Sequence, residues 1–296
     1  MLKNLENYLY KKFLDSDWGI VWRNNSMDDF PFKRNKSAFK PLPNNEDYWF
    51  ADPMLIEREK QVYLFAEAFS RKDERGHICR FLYDGERFTD FKIVIMNDYH
   101  MSYPFVFEHG ENIYMIPETK QNRSIDLYVA SFFPDTWEKK ITLISNIYAV
   151  DTTVINVNGS WKLLTYVVGE AESKLQIYDF DVEETTLELK SEMVDVNKSL
   201  RSAGQFVVRG EELFRPSQQC KRRYGGGLCI NRVTSARPYS EQLIKEITPQ
   251  DIVLSDGKVF KGIHTYSQTA GIEVIDVLYG NKINVCKSIL LKGKRV

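Results

Sequence analysis

The sequence lacks any excess of charge of one sign. Its 296 residues include 40 lysines and arginines and 41 aspartates and glutamates, for a formal net charge of −1. Such a chain presents no broad positive field to a nucleic acid backbone, and we predict no nucleic-acid partner. Charges interrupt the N-terminal segment, and no stretch reaches the ~18 apolar residues of a membrane-spanning helix. We therefore expect a cytoplasmic protein without a signal peptide.

Cysteine is also scarce. The four cysteines are Cys79, Cys220, Cys229 and Cys286. They form no CxxC pair and no zinc-ligand spacing, so we expect reduced, buried thiols and no disulfide scaffold. The four histidines do not cluster by spacing either. The sequence therefore predicts no bound metal and no cofactor.

A two-strand unit is repeated along the chain, and the repeat has no helical half. Each copy has a small or polar start, an apolar strand, a polar turn that usually contains glycine, and a second apolar strand. The copies are residues 52–67, 103–118, 151–166 and 203–218, with a looser fifth copy from His264. Their spacing of roughly 50 residues is typical of propeller blades, and further strands lie between the hairpins. The sequence therefore predicts an all-β fold, a five-bladed β-propeller.

Two terminal features accompany this domain. A short helix is predicted over residues 1–16, because its apolar residues recur every three or four positions, and residues 17–296 form the single propeller domain. The helix packs on the propeller edge or makes a peripheral contact with a membrane surface. Residues 18–23 are predicted to form a strand that completes a blade and closes the ring. Residues 24–46, rich in Asn, Pro and Lys, are expected to form a long surface loop.

The repeat brings polar residues together around the mouth of the central channel. The innermost strands begin at Asp52, Tyr103, Asp151, residues 203–204 and His264. Paired carboxylates suit glycoside chemistry, in which one group transfers a proton and another attacks or stabilises an oxocarbenium ion. The alternative is that both aspartates only cap local backbone amides.

The second strand of each predicted hairpin adds further charged residues. Glu67 and Glu118 end two of them, and Glu118 follows Pro117, which cannot continue a paired central strand. These glutamates either point to the mouth or are solvated strand ends. Arg201 precedes the fourth inner strand and Arg215 ends its partner strand, where they either bind phosphate or carboxylate groups or form structural ion pairs.

Six ordered segments resemble one domain family. They are residues 51–54, 100–118, 150–153, 201–204, 215–225 and 262–265. The family is the N-terminal domain of plant glucosamine inositolphosphorylceramide transferases, which in bacteria also occurs alone in surface-polysaccharide gene clusters. The resemblance covers roughly residues 18–280 and implies a fold similar to five-bladed arabinanase and levansucrase-type glycosidases. In those enzymes an Asp lies on the first inner strand and another on the third, which match Asp52 and Asp151.

The chain departs from these patterns at two places. The glycosidases carry an acidic Glu on a later blade, whereas this chain has no carboxylate in residues 201–205, so Glu118 or Glu67 would have to replace it. The family pattern usually has an Asp where this chain has Gln219. If that Asp is catalytic, this member is altered or inactive.

The leading hypothesis is a glycosyltransferase-like enzyme of cell-surface polysaccharide or glycoconjugate synthesis, with Asp52, Asp151 and Glu118 as catalytic residues. Its partner would be a sugar nucleotide, a phospho-sugar or a glycan. The residues predicted to bind the substrate are Glu67, His100, Tyr103, Arg201, Arg215, Gln219, Tyr224 and His264. The alternatives are a non-catalytic glycan-binding module that assists a separate transferase, a glycoside hydrolase, and a scaffold with a plugged channel.

Overall fold

The described residues form five four-stranded antiparallel sheets arranged as propeller blades. The computed structural model describes residues 17–25 and 37–280. This arrangement confirms the predicted all-β, five-bladed architecture. The predicted N-terminal helix lies outside the described residues. No helix in the described ranges is long and apolar enough to cross a membrane.

The strands follow one another along the chain, and only the last blade joins distant segments. Blade I contains β3–β6, blade II β7–β10, blade III β11–β14 and blade IV β15–β18, whereas blade V joins β19 and β20 to β1 and β2. The strands are β1 (Trp18–Asn24), β2 (Lys40–Pro41), β3 (Tyr48–Arg58), β4 (Gln61–Ser70), β5 (Arg75–Tyr83), β6 (Phe88–Ile95), β7 (Ser102–His109), β8 (Asn112–Thr119), β9 (Ser124–Phe132), β10 (Thr136–Ser145), β11 (Ala149–Val157), β12 (Ser160–Val167), β13 (Lys174–Asp181), β14 (Thr186–Val194), β15 (Val207–Arg209), β16 (Glu212–Gln218), β17 (Leu228–Ala236), β18 (Tyr239–Ile247), β19 (Phe260–Thr269) and β20 (Ile272–Tyr279). Two single-turn 3-10 segments lie at Lys120–Asn122 and Pro249–Asp251.

The N-terminal strand closes the ring. Over its whole length β1 pairs with β20, which confirms the predicted closing strand. The predicted loop over residues 24–46 needs a correction at its end, because Lys40 and Pro41 pair with β1 as the outer strand of blade V. The adjacent Phe39 is only 1% exposed. Burial of this one aromatic ring holds the segment on the blade, although its neighbours are typical of loops.

Strands near the channel are apolar on both faces because each blade lies between two others. In β3, Met54 packs into the core shared with blade II, whereas the next residue, Leu55, packs into the core shared with blade V. Successive side chains of a strand point to opposite faces, so a run of consecutive apolar residues fills both cores. Full burial of each such side chain contributes about 1.5–3 kcal/mol.

The inner strands of four blades have an irregularity on the mouth side. Register shifts mark β-bulges in β3, β7, β11 and β19. Asp52, Tyr103 and Asp151 lie at the bulges with φ of 52°, 44° and 49°, and Gly204 lies at the corresponding place in blade IV with φ of 114°. A non-glycine residue in this conformation costs about 1–3 kcal/mol and needs support from its surroundings. The bulges turn the side chains of three strands toward the axis.

Hydrogen bonds between neighbouring blades supply that support. The Asp52 amide donates to Asp276 of blade V over 3.0 Å, and the Tyr103 amide of blade II donates to Asp52 over 3.2 Å. The Tyr103 hydroxyl crosses the channel. It shares a 2.9 Å hydrogen bond with Thr153 of blade III and accepts one of 2.7 Å from the Gly204 amide of blade IV. The same polar groups that surround the mouth therefore hold the ring together.

Candidate active site

Asp52 lies at the centre of the mouth and is 5% exposed. Its Oδ1 accepts a 2.7 Å hydrogen bond from the Thr265 hydroxyl and lies 3.3 Å from Nε2 of His264. Burial raises the pKa of Asp52 to about 6, an effect that the His264 cation partly opposes and that Asp151 reinforces. A carboxyl group that titrates near neutral pH is suited to act as a general base.

His264 lies between two carboxylates. Its Nδ1 is 2.7 Å from Oδ2 of Asp276, whose other oxygen accepts hydrogen bonds from the amides of His264 and Thr265. Burial lowers the pKa of His264, but Asp276 and Asp52 outweigh it, so the net pKa is raised and the imidazolium is favoured. The ring of Trp18 packs on the imidazole with centroids 4.1 Å apart.

The same three side chains are the described group that comes nearest to a metal site. One ligand atom from each of Asp52, His264 and Asp276 lies within 4.8 Å of the others. Both carboxylates already contact the imidazole at ion-pair distances and accept hydrogen bonds from the bulge amides. The arrangement is thus accounted for as a buried Asp–His–Asp ion-pair group.

Asp151 is 1% exposed and is held by two neighbours from blade IV. The Arg201 guanidinium donates to both of its oxygens, over 2.5 Å to Oδ2 and 3.2 Å to Oδ1. The Gln218 amide donates a further hydrogen bond of 2.6 Å to Oδ2. Fixed donors of this kind hold the carboxylate in one orientation.

Glu118 lies beside this pair in β8, which continues past Pro117 to Thr119, so the predicted end of the strand at this proline is wrong. Its Oε2 is 3.6 Å from Arg201, and its side chain is 9% exposed. Burial, followed by repulsion from Asp151, raises the pKa of Glu118 to about 8, although Arg201 opposes the shift. Glu118 therefore carries a proton at neutral pH, as a general acid must.

Glu67 and His100 form a second polar pair, between blades I and II. Burial raises the pKa of Glu67 well above its usual range, and Asp52 and Glu118 add to the effect. His100 Nε2 lies 3.5 Å from Glu67, while its Nδ1 accepts a hydrogen bond from the Gly76 amide. Burial lowers the pKa of His100 to about 4, so the imidazole is neutral at pH 7, and burial likewise disfavours the charged form of Glu67.

The rim of the mouth is aromatic and cationic. Tyr224 is 47% exposed, and its ring lies 5.0 Å from that of His264 and 5.2 Å from the Arg201 guanidinium. Arg201 keeps 23% of its side chain exposed above Asp151. A half-exposed aromatic ring beside hydrogen-bonding groups is the kind of surface on which sugar rings stack.

Three predicted substrate-binding residues are placed elsewhere. Arg215 is fully buried within blade IV and forms two hydrogen bonds, of 2.7 and 2.6 Å, to Glu241, because strand alternation directs it away from the mouth. Gln219 lies just past the end of β16, and its side chain lines a neighbouring cavity. The Tyr103 side chain is completely buried as the cross-channel brace. The structure thus gives Arg215 the structural ion pair that was the alternative interpretation.

Blade IV has no room for the missing acid. A Cβ atom on Gly204 would lie 1.8 Å from the carbonyl oxygen of Tyr266, since the two backbones form a parallel bridge. Only glycine tolerates this approach together with a φ of 114°. The carboxyl groups at the mouth therefore come from blades I, II and III, with Asp276 of blade V behind them.

Comparison with known proteins agrees with this geometry. The family model described as "Glucosamine inositolphosphorylceramide transferase 1, N-terminal" matches residues 41–264. This chain belongs to that family. The match confirms the resemblance seen in the sequence motifs.

Two curated relatives illustrate how far the similarity extends. Glucosamine inositolphosphorylceramide transferase 1 of Oryza sativa subsp. indica is 28% identical over 206 residues, which is 66% of this chain and 27% of the relative. The protein of the same name from Arabidopsis thaliana is 26% identical over 202 residues, or 65% and 26% of the two chains. This chain thus spans about a quarter of the length of the relatives it matches.

Solved structures with a similar fold are glycoside hydrolases. The catalytic domain of the GH62 α-L-arabinofuranosidase from Coprinopsis cinerea superposes with a TM-score of 0.59 at 11% identity, covering 89% of this chain and 98% of that one. An exo-1,5-α-L-arabinanase from a bovine ruminal metagenomic library has a TM-score of 0.53 at 14% identity, covering 80% and 95%. At these identities the likeness shows the fold alone.

Asp276 and Gln218 lie at this site but were not among the residues predicted from the sequence. Asp276 and Glu273 are the two carboxylates of the otherwise apolar strand Ile272–Tyr279, and such exceptions are a signal that could have found Asp276. Gln218 is adjacent to Gln219, and the sequence does not show which of the two side-chain amides donates to Asp151. The structure shows that Gln218 does so, while Gln219 lines a neighbouring cavity.

The raised pKa of Glu118 should be visible in the pH dependence of stability. Its folded value of about 8 exceeds its ordinary value of 4.5, so the unfolded state releases the proton first and stability falls as pH rises from about 4.5 to 8. Glu118→Gln cannot titrate. At pH 8 we expect this variant to be more stable than the native protein by about 2 kcal/mol. A pKa difference corresponds to about 1.4 kcal/mol per unit and would give a larger value. The effect is smaller because Arg201 can move toward the ionised Glu118 of the native protein. Urea unfolding across this pH range measures the effect.

The control for this experiment is Glu108→Gln, which changes an exposed glutamate on β7. Its stability difference from the native protein should stay constant with pH. If the stability difference between Glu118→Gln and the native protein is equally independent of pH, Glu118 is not held protonated.

Proposed function

We propose that the mouth of this propeller binds a sugar and catalyses glycosyl transfer from an activated sugar or glycan intermediate, in the synthesis of a cell-surface polysaccharide or glycoconjugate. The observation that carries the proposal is the set of three carboxyl groups around one opening, Asp52, Glu118 and Asp151. One of them is protonated at neutral pH and another titrates near pH 6. The names of the curated relatives, which are transferases, and the glycosidase fold support it.

The geometry suggests a role for each group. Glu118 donates its proton to the leaving oxygen as the bond from that oxygen to the anomeric carbon breaks. Asp52 accepts the proton of the acceptor hydroxyl as the new bond to the anomeric carbon forms. Asp151, oriented by Arg201 and Gln218, stabilises the positive charge that develops on the sugar ring. Tyr224 offers its exposed face for stacking.

The cellular setting is part of the proposal. A cytoplasmic location would place the mouth among sugar nucleotides and phospho-sugars, the activated donors that transfer requires. A peripheral membrane contact through residues 1–16 would bring the site close to a lipid-linked acceptor.

Replacement of either aspartate tests the chemistry. With purified protein and a panel of nucleotide sugars and phospho-sugars, Asp52→Asn and Asp151→Asn should each lower turnover at least about a hundredfold, because a positioned acid or base typically contributes 10²–10⁴-fold. The thermal midpoint should be followed in parallel to establish that the variants are folded.

Asp84→Asn is the matched control. Its side chain caps an exposed turn between β5 and β6 through oxygen acceptors that asparagine retains, and it lies outside the mouth. Turnover should be unaffected. If Asp52→Asn and Asp151→Asn turn over as fast as this control, the proposed mechanism is wrong.

One observation favours a second function, a glycan-binding module without catalysis. Arg201 forms an ion pair with Asp151 and also lies 3.6 Å from Glu118, so the Asp151 carboxylate is already paired in the absence of substrate. In this case, Asp52→Asn would weaken glycan binding in calorimetry while no donor in the panel was consumed by the native protein. Donor consumption by the native protein that requires Asp52 would exclude this second function.

A further inference from the structure

We propose that the loop between β16 and β17 binds the phosphate groups of the substrate. The inference rests on the proposed function, since it assigns the phosphate part of a ligand whose sugar lies at the channel mouth. The loop comprises residues 219–227 and carries three consecutive basic residues, Lys221, Arg222 and Arg223, in a chain of formal net charge −1. All three side chains are exposed.

The positive charge of this loop is not compensated within the part of the chain that the structure describes. None of the three residues forms an ion pair there, whereas exposed arginines elsewhere do, such as Arg232 with Glu212. Three adjacent cations repel one another, and an anion that bridges them relieves the repulsion. Arginine in particular binds phosphate oxygens through two parallel hydrogen bonds.

The basic side chains line a cavity of about 520 Å³. Pockets for small ligands are usually roughly 300–1,000 Å³. The cavity is also lined by Gln219, by Glu246 and by the turn that begins at Thr248. Glu246 is the one carboxylate in this lining, so three cations face a single anion and the cavity keeps a net positive charge.

The loop contacts the mouth through the residue that precedes it and through one residue within it. Gln218, which precedes it, donates to Asp151, and Tyr224 within it packs on His264. From Gln218 to Arg223 the extended chain spans at most about 17 Å. One ligand can therefore place its sugar at the mouth and its phosphate on the loop.

This position explains two features that the proposed chemistry leaves unused, the basic triplet and its cavity. The ligand class is a phosphate ester or diphosphate attached to a sugar. The phosphate could belong to a soluble sugar nucleotide or to a lipid-linked sugar, because both present the same oxygens to the arginines.

Binding of inorganic pyrophosphate tests the site. In isothermal titration calorimetry at low ionic strength, Arg222→Ala/Arg223→Ala should weaken pyrophosphate binding at least about tenfold, because two charge-assisted contacts are lost. The matched control is Lys60→Ala/Arg87→Ala, which removes two exposed positive charges from hairpin turns of blade I. The control should bind pyrophosphate as the native protein does.

Further experiments distinguish a lipid phosphate from a soluble one, and they test the phosphate site separately from the proposed catalysis. Co-sedimentation with phosphatidylcholine vesicles that contain phosphatidic acid reports binding of a lipid phosphate. Calorimetry with pyrophosphate reports binding of a soluble phosphate. Loss of either kind of binding in the Arg222→Ala/Arg223→Ala variant, but not in the control variant, supports the site. Asp52→Asn should retain pyrophosphate binding, so the phosphate site can stand even where the catalytic proposal fails. Binding to neither probe, or an equal loss in the Lys60/Arg87 control, overturns the inference.

Discussion

Replacement of Gly204 with alanine is expected to destabilise the fold by about 4 kcal/mol or to leave no folded protein. The new Cβ would lie 1.8 Å from the Tyr266 carbonyl oxygen, which is backbone and cannot turn aside. The substitution also forces a side chain onto a φ of 114° and displaces the amide that donates to the Tyr103 hydroxyl. Effects of this size arise from overpacking combined with backbone strain. Chemical denaturation followed by tryptophan fluorescence measures the loss.

Gly110→Ala is the matched control. This glycine also has a positive φ, of 60°, but its added Cβ would meet no atom within 4 Å. It should cost only about 1 kcal/mol, the usual strain of a side chain in the left-handed region. Similar losses in the two variants would show that the close contact between blades IV and V is not what requires glycine.

Removal of the Asp276 carboxylate is expected to have an effect of similar size. Asp276 is fully buried and accepts hydrogen bonds from the amides of Asp52, His264 and Thr265, besides its contact with the imidazole of His264. Asp276→Ala leaves these donors unpaired and removes the shorter of the two carboxylate contacts of the buried His264 cation, at a cost of about 3–5 kcal/mol. Denaturation gives the free energy, and hydrogen exchange should show lost protection at the Asp52 and Thr265 amides.

Asp276→Asn keeps the shape of the side chain and removes its negative charge, so it distinguishes the two contributions. Its amide oxygen can still accept from the bulge amides, whereas its NH₂ group cannot accept from them and cannot stabilise the imidazolium. We expect an intermediate loss and a lowered pKa of His264, measurable by NMR titration. If Asp276→Ala were as stable as the native protein, the link between blades V and I would not depend on this carboxylate.

The site could be predicted from the sequence only in part. The spacing of the hairpins placed Asp52, Asp151 and His264 at equivalent positions of three blades, and the structure brings them to one opening. Arg215 shows where the prediction fails, since it is buried against Glu241. Its side chain points away from the mouth because a strand alternates its faces, and the register of a short strand depends on its partners.

The electrostatics of the mouth could not be predicted in the same way. The raised pKa values of Glu118 and Asp52 come mainly from burial, and burial is a property of the closed ring. Asp276 shows the same limit, because it lies in the last strand that the structure describes and accepts a hydrogen bond from Asp52, which is 224 residues away along the chain.

The sequence alone determined the number of blades, the order of their hairpins and the strand that closes the ring, since each follows from local patterns of apolar residues and turns. It also determined the family. Only the tertiary structure decided which polar side chains meet at the mouth, which of them are protonated, and why blade IV carries glycine instead of an acid. These properties depend on contacts between blades, such as the approach of Gly204 to Tyr266, and no local pattern records the distance between two backbones that are far apart along the chain.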